Sequence, residues 1–123
     1  MNQTPTVDDI ENACNTALAA LGKAITQIEA EADRAKPGPH RDQLEMRSGD
    51  LMDERRAIRA AADKAILSLP GVIAAAAILD RLSGDMMATA QELPNATGSL
   101  GKVTALLSLG QQFNDIIAKA RSA

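Results

Sequence analysis

Lys36-Pro37-Gly38-Pro39-His40 is the stretch that decides how this chain folds. Two prolines cannot continue a helix, and the glycine between them is free to turn. Upstream, apolar residues step by three and four through Val7, Ile10, Cys14, Ala17, Leu21, Ala24 and Ile28, with Leu18, Ile25 and Ala32 widening the stripe. Such a wide stripe belongs to a helix in a bundle rather than to a bare two-stranded seam. Downstream, Leu44, Leu51, Ile58 and Ala65 recur by sevens, with Ser48, Arg55, Ala62 and Leu69 alongside. This pattern predicts a second helix from about Arg41 to Ser68. Two helices of similar length joined by a short breaker pack antiparallel, so the expectation is a hairpin over residues 7–69 with its turn at 36–40. Each arm would be about 40 Å long. Thr6-Val7-Asp8-Asp9 supplies a capping hydroxyl and first-turn acids for the first helix.

Leu69-Pro70-Gly71 is a second break, with Pro70 suited to the first position of a new helix. A third helix is expected over about 71–92, carrying Val72, Ala76, Leu79, Met86, Ala90 and Leu93. After the break Leu93-Pro94-Asn95-Ala96-Thr97-Gly98, a fourth is expected over about 99–121, capped by Thr97 or Ser99. It carries Val103, Leu106, Leu107, Phe113, Ile116, Ile117 and Ala120. The predicted fold class is all-α: an antiparallel bundle of four helices built on the long hairpin, with two shorter apolar helices behind it and a single domain over 1–123. Hydrophobic residues make up 46% of the 123 residues but aromatics only 1%, so the core must be aliphatic. No stretch alternates as a half-buried strand does.

Charge is unevenly distributed. Of the 29 charged side chains, residues 71–123 hold only Asp80, Arg81, Asp85, Glu92, Lys102, Asp115, Lys119 and Arg121. Such helices either fill the hollow of the bundle or form an oligomer interface. Because they are shorter than the first two, the hairpin tip around Pro37–Pro39 should overhang the bundle by about 10 Å.

The formal net charge of −3 lacks the basic footprint that nucleic-acid binding needs, and with one aromatic ring there is no stacking platform. The longest apolar run, Val72 to Leu79, is too short to span a bilayer. The polar, acidic N-terminal segment does not read as a secretory signal, and the lone Cys14 requires no oxidising compartment. A cytoplasmic location is the expectation, with signal-less secretion leaving no mark in such a chain.

Several constellations bear on chemistry. Arg47-Ser48-Gly49-Asp50-Leu51-Met52 and Leu82-Ser83-Gly84-Asp85-Met86-Met87 resemble each other, as a duplicated packing device or by chance. Either glycine would serve a close helix crossing or a kink. Asp50, Asp53 and Glu54, with Asp63 beyond, invite a metal reading. Helical metal sites need acids from several helices, often with Glu-x-x-His spacing, and that is absent. Arg55, Arg56 and Arg59 form one basic cluster. Arg55 falls toward the apolar side, where it would snorkel, pair with Glu11 or Asp80, or meet an anionic partner. Cys14 lies mid-stripe, far from His40 in the turn, so no nucleophile–base pair is expected. Met46, Met52, Met86 and Met87 are either gap-fillers or an adaptable surface.

Neither a catalytic constellation nor a cofactor or metal site is expected. The leading expectation is a non-enzymatic protein–protein interaction module: an adaptor, chaperone, inhibitor or immunity-type protein acting through helix faces. Val72, Leu79, Leu106 and Ile117, with Pro37 and Pro39 at the tip, are its candidate partner-binding residues. The alternative is a self-associating subunit, a homodimer or larger, of a bacterial or phage assembly or secretion apparatus. The outline is similar to that of small helical-hairpin proteins of bacterial secretion systems. The Trp-x-Gly turn that marks one such group is replaced by Lys36-Pro37-Gly38-Pro39. A metal-dependent helical hydrolase using Asp50, Asp53 and Glu54 is a remote third reading. Alanine richness and an excess of arginine over lysine lean toward a GC-rich bacterial or phage source.

Overall fold

The computed structural model describes residues 5–95 and 98–121. It has six α-helices: α1 (Val7–Arg34), α2 (Pro39–Ala61), α3 (Lys64–Leu67), α4 (Pro70–Ala74), α5 (Ala76–Glu92) and α6 (Ser99–Arg121), with a 3-10 turn at Leu93–Asn95. No strand occurs among the described residues. The all-α class holds, with six helices in place of the expected four. No described helix is long and apolar enough to cross a membrane.

The first hairpin forms where the prolines require it. At the start of α1 the Asp9 carboxylate accepts the Thr6 backbone N–H at 2.8 Å, satisfying one of the amides a helix start leaves open. The turn passes through Gly38 at φ 154°, a conformation that favours glycine, and Pro39 opens α2. Ser48 donates to Glu29 across the hairpin, and a Cβ on Gly22 would sit 3.7 Å from Arg55. Positions on the two arms that face one another therefore sum to 77, as in an antiparallel pair.

The second arm ends earlier than expected. No proline or glycine lies near Ala62, yet the helix stops there because Asp63 caps a new one, accepting the Ala65 N–H at 2.8 Å. Short polar side chains compete for backbone groups in this way. The break swings Leu67 into the core and leaves Ala65, expected on the buried stripe, exposed. The larger side chain wins the buried position.

That break sets the packing order. α1 contacts α2 and α5, α6 also contacts α2 and α5, and α2 with α5 is not a substantial contact. Glu54 of α2 meets Gly110 of α6, and farther along Ala57 and Ala61 share a groove with Asn114 and Ala118. Both helices thus run in the same direction. Neighbours across the two hairpins are parallel, and only the arms within each hairpin are antiparallel. The chain crosses the base diagonally from α2 to α5 through α3 and α4, whose Leu67 and Val72 are buried there.

The buried side chains form one cluster drawn from every α-helix. On α1, Ala13, Ala17, Ala20 and Ala24 are buried between Ile10 and Ile28, and small residues let axes approach closely. α6 has 23 residues, the same as α2, and Ser99 donates to Glu31 at 2.6 Å, three residues before α1 ends. The hairpin turn at Pro37–Pro39 lies beyond that corner. Ser99 engages α1 rather than capping its own helix, and Thr97 lies outside the described residues.

Candidate functional site

The groove along the outer seam of the first hairpin is lined by Met52, Arg55, Arg56 and Arg59 of α2 and Ile25 of α1, with a volume of about 200 Å³. The spacing 52, 55, 56, 59 puts all four residues on one side of a helix. The register places Gly22 opposite Arg55, so α1 presents no side chain there and the guanidinium rests against its backbone. Arg55 Nε is buried without a hydrogen-bond acceptor. It pairs with neither Glu11 nor Asp80 among the described residues. Arg56 reaches Asp53 at 3.4 Å, but their side chains are 79% and 75% exposed, so the pair contributes little. Arg59 has no ion pair among the described residues. Met52, 37% exposed, supplies an accessible apolar edge.

The acids considered for a metal are dispersed. Asp50 is bound to Arg47 at 3.2 Å, Asp53 to Arg56, and Asp63 caps α3. Glu54 points toward α6, where its Oε1 is buried without a partner. Burial, and secondarily the negative charge of Asp115, push its carboxyl above the ordinary value. Among the described residues no three His, Cys, Asp or Glu side chains stand close enough to share a metal ion.

Cys14 is buried, and burial, followed by the Glu11 carboxylate, pushes its thiol up to about 11. It is therefore a neutral thiol, as apolar burial dictates. His40 is exposed at the hairpin tip, roughly 30 Å along α1 from Cys14. The two do not meet.

The expected partner-binding residues divide. Val72, Leu79, Leu106 and Ile117 are all in the core, so the structure corrects their placement on a docking face: packing between the hairpins consumes them. Pro37 and Pro39 are exposed at the tip. Among the described residues the large exposed apolar side chains are instead Met46 and Met52 on α2, Leu69 at the base and Ile78 on α5, at 61%, 37%, 38% and 46%. Met86 fills the core. The Ser-Gly-Asp repeat is not a glycine device, because a Cβ at Gly49 or Gly84 would meet nothing within 4 Å, and both positions lie inside continuous helices. Ser48 and Ser83 are its buried members.

The arginine cluster was visible in the sequence. The groove before it was not, and the one available signal was the register implied by the turn, which sets Gly22 opposite Arg55. Comparison with known protein families, with curated proteins and with solved structures finds no match to this chain.

Proposed function

We propose that this protein is a non-enzymatic protein-interaction module, a single-domain bundle of two side-by-side hairpins that docks an acidic segment of a partner along the α1/α2 groove. The observation that carries this reading is Arg55 and Arg59, without acidic partners among the described residues, beside the apolar side chains of Ile25 and Met52. Guanidinium groups left unpaired on an acidic protein favour a partner that supplies carboxylates, and the apolar side chains favour one aliphatic anchor between them. Cys14, the one thiol, is buried in the core, which supports a binding role over nucleophilic chemistry there.

Selection from a displayed random-peptide library tests the reading. Enriched sequences should carry Asp or Glu around an aliphatic residue, and an Arg55→Glu/Arg59→Glu protein should fail to retain them. Enrichment of basic peptides, or equal retention by the variant, would overturn the proposal.

A second reading has its own observation. Residues 65–79 carry no charge, and Leu69 and Ile78 are exposed within them, a surface suited to a second copy of the chain. Light scattering should then show a dimer that Ile78→Glu dissociates; a monomer at all concentrations removes this reading.

A further inference from the structure

We infer that the groove formed by Arg55, Arg56 and Arg59 is a phosphomonoester site, and that the segment it takes from a partner carries a phosphorylated side chain. The inference rests on the α1/α2 groove being the docking face, and it specifies the group bound there. Charge provides the first argument. With Arg56 balanced by Asp53, Arg55 and Arg59 leave two uncompensated positive charges at the groove. A carboxylate side chain neutralises one of them, whereas a phosphomonoester carries about −1.5 to −2 at pH 7. Geometry provides the second. A guanidinium is a planar fork of five donors that matches phosphate oxygens in pairs. Arg55 Nε is shielded against α1 beside Gly22, which holds the guanidinium in place. Its two terminal nitrogens are not among the buried atoms and can offer the groove paired donors for phosphate oxygens.

The surroundings agree. Arg55 and Arg59 are one turn apart on the same face of α2, so their head groups converge on a single ligand. Gly22 lets the Arg55 side chain lie close against α1. The 200 Å³ volume exceeds several times the roughly 30 Å³ share of one water, enough for a tetrahedral oxyanion. Ile25 and Met52 add apolar contact surface beside the arginines. The nearest acid on the facing stretch of α1, Glu29, accepts from Ser48, farther up the seam. An extended nucleic-acid backbone is a poor fit, since the overall charge of −3 repels it outside this one groove.

Calorimetric titration of the full chain against three otherwise identical acidic peptides, bearing phosphoserine, Glu or Ser at the central position, tests the inference. The phosphoserine peptide should bind roughly tenfold or more tighter than the Glu peptide, the difference expected from additional charge-assisted hydrogen bonds. Arg59→Gln, at an exposed position that folding does not depend on, should remove that preference. Arg55→Lys, which keeps the charge but loses the fork, should reduce it. Inorganic phosphate, added as competitor, should displace the phosphopeptide if the phosphoryl group itself is the ligand. Equal affinity for the phosphoserine and Glu peptides overturns the inference while leaving the docking reading intact. Binding of none of the three peptides overturns both. A phosphodiester oligonucleotide that binds as tightly as the phosphopeptide also overturns it.

Discussion

Replacing Gly71 by Ala should destabilise this fold, although the substitution improves local helix propensity. Gly71 is the second residue of α4, the short helix that closes the base. A Cβ there would stand 2.5 Å from the carbonyl oxygen of Ala120 in α6, 3.4 Å from its carbonyl carbon and 3.7 Å from its Cα. The obstacle is backbone, so no side chain can swing aside. α4 must lift by about 1 Å to restore ordinary van der Waals separation, and a gap of that size forfeits about a quarter to a half of the dispersion attraction between each separated atom pair. Val72, buried one residue on, would be pulled out of its packing as well. Overpacking of this kind costs about 1–3 kcal/mol, while removing a helical glycine returns at most about 1 kcal/mol. With the full glycine return subtracted, the net expectation is a destabilisation of up to about 2 kcal/mol. Gly84→Ala is the internal control: it lies within α5, its Cβ would meet nothing within 4 Å, and it should gain up to about 1 kcal/mol. Urea unfolding followed by helical circular dichroism measures both. If Gly71→Ala matches or exceeds the wild type in stability, α4 does not press against α6 and the packing of the base described above is wrong.

Two further outcomes follow from buried ionisable groups. The Glu54 carboxyl is raised above 4.5 by burial and by Asp115, so the folded state holds its proton more readily than the unfolded chain. That contribution is complete below pH 4.5 and is lost as pH rises through the folded value. Glu54→Gln should therefore be more stable than the wild type near neutral pH, with the advantage shrinking in acid; urea melts at both pH values showing the opposite order would refute this. Cys14, with its thiol at about 11, should resist a maleimide in the native protein at mildly alkaline pH and react fully once urea unfolds it, so rapid native labelling would contradict its burial.

Much of the fold was legible because strong local signals agreed with the packing. Pro37, Gly38 and Pro39 turn the chain where two prolines and a glycine require a turn. Ile10, Cys14, Ala17, Leu21, Ala24 and Ile28 are all buried, as their spacing predicts. The end of the second arm was not legible, because Ala62-Asp63 contains no residue that forbids a helix. What stops it there is the demand of Leu67 for the core together with the capping carboxylate of Asp63. From that early stop follow the diagonal crossing and the parallel pairing of α2 with α6. Periodicity also left open what covers the charge-poor helices. Val72, Leu79, Leu106 and Ile117 have the same spacing whether a neighbouring hairpin or another molecule lies against them.

The distribution of burial among the helices says where recognition can reside. α1 commits nine residues to the core, and α5 and α6 six each, while α2, at 23 residues, commits only Leu44, Ser48, Leu51 and Ile58. Those four positions form a narrow seam, and apart from the side that meets α6 through Glu54, Ala57 and Ala61, much of α2 is exposed. It is also where the unpaired Arg55 and Arg59 and the exposed Met46 and Met52 lie. Charge reversal at those arginines disturbs no core packing of the kind Leu106 or Ile117 provides, so it can change a partner without changing the fold. Of the charged residues on this open face, Arg55, Arg56 and Arg59 share one groove with Ile25 of α1, which is where a partner of opposite charge would be read.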